Sequence, residues 1–123
     1  MQRLLVIDRD RTVTQRLGLE CLERGVGVVM ADSVCEGVRV LVSEVVSLIV
    51  VDAALVRLTP CEQARLFERV APGVPVVVVV RPDVALDARV ALELAGFTVM
   101  TRPVSSQDLL EKDVEIRSEV RTR

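Results

Sequence analysis

Charged side chains follow apolar segments at three places along the chain. Asp8 comes directly after the apolar run at residues 4–7, Asp52 ends the run at residues 47–52, and Arg102 follows a third such run. If these runs are parallel strands of one sheet, all three side chains lie at its carboxyl edge, where open α/β sheets bind ligands. At one edge of the sheet, two carboxylates could bind a cation and a guanidinium could bind an anion. The residues alone name no reaction.

Short β-branched runs alternate with helical patterns along the whole chain. The runs are apolar throughout, as in strands buried on both faces, so alternating strands and helices predict an α/β fold with a parallel sheet and helices on both faces. The predicted strands are residues 4–7, 26–30, 47–52, 74–80 and 97–101, and the predicted helices are residues 13–22, 34–45, 60–71, 83–95 and 106–117.

Five such units suit a five-stranded sheet in the flavodoxin-like order 2-1-3-4-5. In that order the first and third strands are neighbours, so Asp8 and Asp52 lie side by side. The fourth strand brings Val80 and Arg81 to the same edge, and the fifth brings Arg102. The topology therefore predicts one site from residues far apart in the chain.

The composition limits the classes of function. The chain has 123 residues, enough for one domain, of which 50% are hydrophobic and 28% charged. A formal net charge of -2 and two aromatic residues give no basis for nucleic acid or an anionic membrane as a partner. The first apolar run is too short for a signal peptide, and no run is long enough to span a bilayer. We therefore expect a cytoplasmic protein.

Catalytic groups and soft metal ligands are scarce. The chain has no histidine, and Cys21, Cys35 and Cys61 are odd in number and unrelated in spacing. They match neither a disulfide framework nor a zinc site, so we expect buried thiols in a reducing compartment. No nucleophile–base pair stands out, which argues against an enzyme that turns over a substrate.

Together the segments resemble the receiver domains of response regulators over residues 3–116. The first strand ends in LLVIDRD, the third ends in LIVVD, the fourth reads VPVVVVV before Arg81, and the fifth ends in MTRP. No single motif is specific, whereas their order and spacing over a whole domain are. We expect a receiver-like domain at residues 1–118 and a charged tail at residues 119–123 that begins a linker.

The resemblance implies a phosphorylation site at the rim. By position, Asp52 is the phosphoacceptor, and Asp8, Asp52 and the backbone carbonyl of Ala54 are the ligands of Mg²⁺. Asp10 is a further candidate ligand. Arg102 stands at the position of the lysine that pairs with the phosphoryl group.

Several positions depart from the family pattern. Arg9 replaces the second acid, Val80 replaces the hydroxyl residue at the end of the fourth strand, and Val56 replaces a proline. A cation about 5 Å from Mg²⁺ costs roughly 3 kcal/mol per unit charge at an effective dielectric of about 20, so an inward-pointing Arg9 would oppose the metal. The side chain of Val80 cannot donate a hydrogen bond to a phosphoryl oxygen. Arg102 retains the positive charge of the lysine, but its planar guanidinium is not equivalent to the compact charge of an ammonium.

Two interpretations of the rim remain open. In one, Mg²⁺ binds and Asp52 is a working phosphoacceptor. In the other, Arg9 or Arg102 pairs with Asp8 and Asp52 and leaves a rim without metal. We favour the second interpretation, because a phosphoryl group needs its whole set of supporting side chains in place.

These interpretations give three hypotheses for the function. The leading one is a degenerate receiver domain of a two-component or phosphorelay system, which acts by protein–protein contact with weak or no phosphorylation. Its expected partner is a histidine kinase or an effector domain, and the resemblance implies a homodimer through the fourth helix, fifth strand and fifth helix. The alternatives are a Mg²⁺-dependent receiver phosphorylated on Asp52 and a flavodoxin-like binder of a nucleotide or another anionic ligand. The binder is disfavoured because no glycine-rich loop follows the first strand.

Overall fold

Five parallel strands form one sheet, with helices on both of its faces. The computed structural model describes residues 2–122, with side chains up to residue 119. The strand order is β2-β1-β3-β4-β5, so the predicted fold class and topology are confirmed. The strands are β1 (Gln2–Ile7), β2 (Val26–Ala31), β3 (Leu48–Asp52), β4 (Val76–Val80) and β5 (Thr98–Thr101), and the helices are α1 (Arg11–Glu23), α2 (Val34–Ser43), α3 (Pro60–Val70), α4 (Leu86–Leu94) and α5 (Ser106–Thr122).

The core consists of two apolar layers, one on each face of the sheet. Alternate residues of a strand point to opposite faces, so a strand buried on both faces must be apolar throughout. Ile49 and Val78 belong to the layer covered by α2, α3 and α4. Val50 and Val77 belong to the layer covered by α1 and α5. The valine-rich strands therefore fix the sheet at the centre of the molecule.

Polar side chains define the starts of two central helices. Thr59 and Glu62 form a reciprocal capping box at α3, in which each side chain accepts a hydrogen bond from the backbone N–H of the other residue. The sequence SVCE at residues 33–36 has the pattern of a second capping box at α2, but this box is incomplete. Ser33 accepts from the N–H of Glu36, but the Glu36 carboxylate accepts from the N–H of Asp32 instead of Ser33.

Several predicted element boundaries are wrong by two or more residues: β1 and α1 each begin two residues earlier than predicted, and α2 ends two residues earlier. The starts of β4 and α4 have clear physical reasons. β4 begins at Val76 instead of residue 74, because Pro75 has no N–H to donate to the ladder. α4 begins at Leu86 instead of residue 83, because residues 81–84 form a turn in which the Val84 N–H donates to the Arg81 carbonyl at 3.1 Å.

The prediction of buried cysteines is correct at one position only. Cys21 is buried between α1 and the sheet, whereas Cys35 and Cys61 are exposed. Both exposed thiols lie in the first turn of a helix, α2 and α3 respectively, on the side away from the core.

The last helix is longer than the sequence pattern indicates. α5 runs to Thr122, so residues 119–122 continue its backbone. The domain boundary at residue 118 stays a prediction. Among the described residues, no helix has both the length and the apolar character needed to cross a bilayer.

Candidate functional site

Asp8 and Asp52 lie side by side at the carboxyl edge of the sheet. Asp8 directly follows β1 and Asp52 ends β3, and the register pairs Ile7 with Val51 just before them. Their side chains are only 11% and 16% exposed. Partly buried carboxylates need a neutralising partner, because an unpaired charge loses hydration without compensation.

Arg102 supplies that partner from the far side of the sheet. Its Nη2 lies 2.7 Å from Asp8 Oδ2 and 3.1 Å from Asp52 Oδ2. The Arg102 backbone N–H donates to the Val80 carbonyl at 2.9 Å, which fixes the start of the loop after β5. The peptide bond from Arg102 to Pro103 is cis. One guanidinium thus joins the ends of β1 and β3 to the end of β5.

The environment of Arg102 keeps it charged. Burial alone would lower the pKa of Arg102, but the hydrogen bond that it donates to Asp8 and the charges of Asp8 and Asp52 outweigh burial and raise the pKa above its ordinary value. The positive charge is therefore a permanent part of the rim.

The second oxygen of each carboxylate is also engaged. Asp8 Oδ1 accepts from the N–H of Asp10 at 2.9 Å, and Asp52 Oδ1 accepts from the N–H of Ala54 at 3.0 Å. Both bonds come from the loop that follows the carboxylate itself. Each of the two aspartates is thus held between its own loop and Arg102.

The residues after Asp8 do not add a third metal ligand beside Asp8 and Asp52. Asp10 is the N-cap of α1, and its Oδ1 accepts from the N–H groups of Thr12 and Val13 at 3.0 and 3.3 Å. Arg9 is exposed, and it forms no ion pair within the part of the chain whose side chains are described. Of the two arginines considered for the rim, Arg102 is therefore the one that pairs with the carboxylates.

The positions around the acceptor loop are apolar. Val80 is 2% exposed and belongs to the core layer under α2, α3 and α4, and Val56 packs partly buried against the same layer. Ala54 is exposed, and its N–H is the donor to Asp52. The place of the family's hydroxyl is thus filled by a core side chain.

The described residues do not fit a Mg²⁺ ion. Mg²⁺ requires near-octahedral oxygen coordination at about 2.0–2.1 Å. Asp8 and Asp52 direct their Oδ2 atoms to Arg102, so a guanidinium stands where a shared cation would bind. Among the described side chains, no group of three or more aspartates, glutamates, cysteines or histidines is placed to hold a metal.

A polar cleft beside Asp8 is not predicted from the sequence. It has a volume of about 230 Å³ and lies between the ends of β1 and β2. Arg11 and Asp32 face each other across it at 3.8 Å. One feature of the sequence could have indicated this cleft: Arg11 and Asp32 each follow one of two strands that are neighbours in the predicted order. The lining residues are Asp8, Arg11, Thr14, Gln15, Met30, Ala31, Asp32 and Glu36.

Two curated proteins are similar in sequence over most of this chain. They are the transcriptional regulatory proteins GlrR of Escherichia coli K12 and QseF of Escherichia coli O157:H7, each 32% identical over 108 residues. The match covers 88% of this chain and 24% of each relative, so the chain spans about a quarter of the length of these regulators. No family model matches the chain.

Solved receiver domains have the same fold. The structure of a CheY-like response regulator receiver domain protein from Methanospirillum hungatei JF-1 is 25% identical, with a TM-score of 0.81 over 97% of this chain and 95% of that one. The beryllofluoride-activated NtrC4 receiver domain dimer is 20% identical, with a TM-score of 0.82 over 97% and 98%. A Burkholderia pseudomallei response regulator with a phosphorylated aspartate, calcium and citrate is 18% identical, with a TM-score of 0.78 over 97% and 72%.

Proposed function

This chain is a receiver domain of the response-regulator type, and we propose that it signals by protein–protein contact with its acceptor site closed by Arg102. In this proposal phosphorylation of Asp52 is weak or absent, and the domain acts in the cytoplasm as part of a two-component or phosphorelay system. The observation that carries the proposal is the contact of Arg102 Nη2 with both Asp8 and Asp52.

The contact opposes phosphorylation in two ways. Asp52 must present an oxygen to an incoming phosphorus atom, yet its Oδ2 binds Arg102 and its Oδ1 binds the N–H of Ala54. A metal ion must first displace Arg102 from charge-assisted hydrogen bonds worth about 1.5–3 kcal/mol each. Values near the lower end apply here, because the Arg102 side chain is still 27% exposed and partly screened by water.

The position of Val80 supports the same function. Val80 is buried in the core and pairs with Thr101 across the β4–β5 ladder. It has no hydroxyl that could bind a phosphoryl group and move toward the rim. No side chain at this position can therefore transmit a change at Asp52 to α4 by hydrogen bonding. In our proposal the face formed by α4, β5 and α5 keeps one arrangement.

The face formed by α4, β5 and α5 is the proposed contact surface for a histidine kinase or an effector domain. Leu86, Val90 and Leu94 recur at helical spacing along α4 and are 75%, 41% and 84% exposed. Val114 of α5 is 62% exposed. Such a group of exposed apolar side chains is typical of an interaction site. The homodimer expected through this face stays a prediction, which the variant Leu94→Glu tests below.

A Mg²⁺-dependent receiver phosphorylated on Asp52 is the second candidate. The observation that favours it is the adjacency of Asp8 and Asp52, which a two-carboxylate metal site needs. For this candidate, Arg102 must swing away from both carboxylates when a metal binds.

Restoring the family's residues tests the proposal. We expect the combined variant Arg9→Asp, Val80→Thr and Arg102→Lys to be phosphorylated on Asp52 by a small-molecule phosphodonor, and we expect this reaction to require Mg²⁺. The unaltered chain should be labelled at least about tenfold less, a difference of about 1.4 kcal/mol in the labelling barrier. Adding Asp52→Asn to the combined variant should abolish the labelling. Equal labelling of the unaltered chain would contradict the proposal, and circular dichroism must show that the variant folds.

A further inference from the structure

β2 is an edge strand without the usual protection against pairing. Among the described strands it bonds only to β1. Its sequence VGVVMA contains no charge and no proline. Natural proteins commonly guard such edges with lysine, proline or bulges, because free backbone N–H and C=O groups bind another strand. The outer side of β2 is therefore able to accept a strand.

The hydrogen bonds to β1 reveal which residues of β2 face outward. The Asp8 N–H donates to the Ala31 carbonyl at 2.9 Å, so the backbone groups of Ala31 point toward β1. Along a strand, the backbone N–H and C=O groups of successive residues point alternately to one side and the other. The backbone groups of Val26, Val28 and Met30 consequently point away from β1.

We propose that two copies of this chain pair through β2, antiparallel, about a twofold axis at Val28. In this register Val28 faces Val28 of the second copy, and Val26 faces Met30 of the second copy. Each facing pair exchanges both of its hydrogen bonds, because all of these residues direct their backbone groups outward. The two sheets then form one continuous sheet.

The charges that flank β2 fit the same register. Arg24 precedes β2 and Asp32 follows it, and both are exposed. Arg24 is the C-cap of α1, and Gly25 at φ 77° turns the chain before β2 begins. A pairing centred on Val28 brings this end of β2 beside the Asp32 end of the second copy, and twofold symmetry repeats the approach of the two charges. Arg24 forms no ion pair within the described side chains, and the only ion pair of the Asp32 carboxylate among them is the 3.8 Å contact with Arg11. Hydrogen-bond direction thus limits the pairing to registers in which Val26, Val28 and Met30 face one another, and the flanking charges favour the register centred on Val28.

Exposed apolar side chains of α1 lie along this edge. A Cβ on Gly18 would lie 3.9 Å from the Val28 Cβ, and Gln15 lines a cleft with Met30, so this side of α1 follows β2. Leu22 shares that side of the helix and is 55% exposed, and Met30 is 45% exposed. In the antiparallel pair, Leu22 of each copy covers Met30 of the other.

Sedimentation equilibrium of the full 123-residue chain over a concentration series tests the proposal. We expect a monomer–dimer equilibrium. Arg24→Glu alone and Asp32→Arg alone should each weaken dimerisation by about tenfold or more, because like charges then face each other twice. The double variant should restore the dimer. Met30→Lys should also weaken it, because a charge enters the apolar edge.

The matched control is Leu94→Glu, which changes the α4 face only. It should leave this dimer intact, so failure of the present inference and failure of the proposed α4 contact are distinguishable. A chain that is monomeric at all concentrations would overturn the inference. So would a dimer that Leu94→Glu dissociates and Arg24→Glu does not, because that dimer uses the α4 face.

Discussion

Arg102 Nη2 lies 3.1 Å from Asp52 Oδ2, although Asp52 ends β3 and Arg102 follows β5, and β4 lies between these two strands. The same nitrogen lies 2.7 Å from Asp8 Oδ2. The chain therefore carries its own cation between the carboxylates of its rim. We therefore expect the stability, metal binding and reactivity of the site to depend on this guanidinium.

Replacing Arg102 with methionine should destabilise the fold. The variant replaces the aliphatic stem of the arginine with an unbranched apolar side chain but leaves Asp8 and Asp52 facing each other without a counter-charge. We expect a loss of about 1–3 kcal/mol in the free energy of unfolding, measured by urea denaturation. The matched control is Arg81→Met. Arg81 is 75% exposed and pairs with Asp83 at 3.4 Å, so its loss should cost less than about 0.5 kcal/mol. Equal effects of the two variants would contradict the assigned role of Arg102.

The capping box of α3 should make stability depend on pH. The backbone N–H of Thr59, and then its hydroxyl, form hydrogen bonds that lower the pKa of Glu62 below the ordinary 4.5. A carboxylate with a lowered pKa in the folded state stabilises the fold above its unfolded pKa, and this contribution is lost as the pH falls through the folded value.

The pH dependence is measured with Glu62→Gln. The difference in urea midpoint between the unaltered chain and this variant should be constant above pH 4.5 and shrink at lower pH. In a Thr59→Ala background the same comparison should depend less on pH without losing the dependence, because the hydroxyl is gone while the backbone N–H of residue 59 still donates to Glu62. A difference that grows on acidification would show that the sign is wrong.

Thiol reactivity should divide the cysteines into two classes. Burial raises the pKa of the Cys21 thiol, the nearby Glu20 raises it further, and Arg24 opposes both. Cys35 and Cys61 are exposed. We expect a thiol reagent to modify Cys35 and Cys61 in the folded protein and Cys21 only after unfolding, because reaction requires an accessible thiolate. The double variant Cys35→Ser and Cys61→Ser should be unreactive until denatured. Rapid labelling of that variant in its folded state would refute the burial of Cys21.

Gly37 should not tolerate a methyl group. A Cβ at this position of α2 would lie 2.5 Å from Ile7 Cδ1 and 2.9 Å from Ile7 Cγ1 in the packed core. We expect Gly37→Ala to cost about 1–3 kcal/mol in urea denaturation, because an overfilled core must shift. Gly18→Ala in α1 is the control. Its nearest neighbour is Val28 Cβ at 3.9 Å, so it should be neutral or stabilise by up to about 1 kcal/mol through helix propensity. A neutral Gly37→Ala would mean that α2 packs more loosely on β1.

The fold was predictable because its strongest signals are local. Wholly apolar runs identify strands buried on both faces, and their alternation with helices leaves few topologies. The adjacency of Asp8 and Asp52 then follows from the strand order. The start of α4 was less predictable, because no side chain caps it at Ala85 and a turn precedes it.

The contacts within the site were only partly predictable. The direction of Arg9 depends on the loop after β1, where the Asp10 N–H binds Asp8 and Asp10 caps α1. Such loop geometry has no periodic signature in the sequence. Likewise, the long side chain of Arg102 reaches across the end of β4 to both Asp8 and Asp52. The order of the strands does not predict which of these two carboxylates it contacts.

Titration with beryllofluoride and Mg²⁺, followed by NMR, tests the central proposal most directly, because this phosphoryl mimic binds only where the carboxylate and the metal site are both available. We predict that the additions cause no saturable shift changes at the backbone amides around Asp8, Asp52 and Arg102, either in the unaltered chain or in Asp52→Asn. A saturable, Mg²⁺-dependent response that Asp52→Asn abolishes would contradict the closed site and establish Asp52 as a working phosphoacceptor.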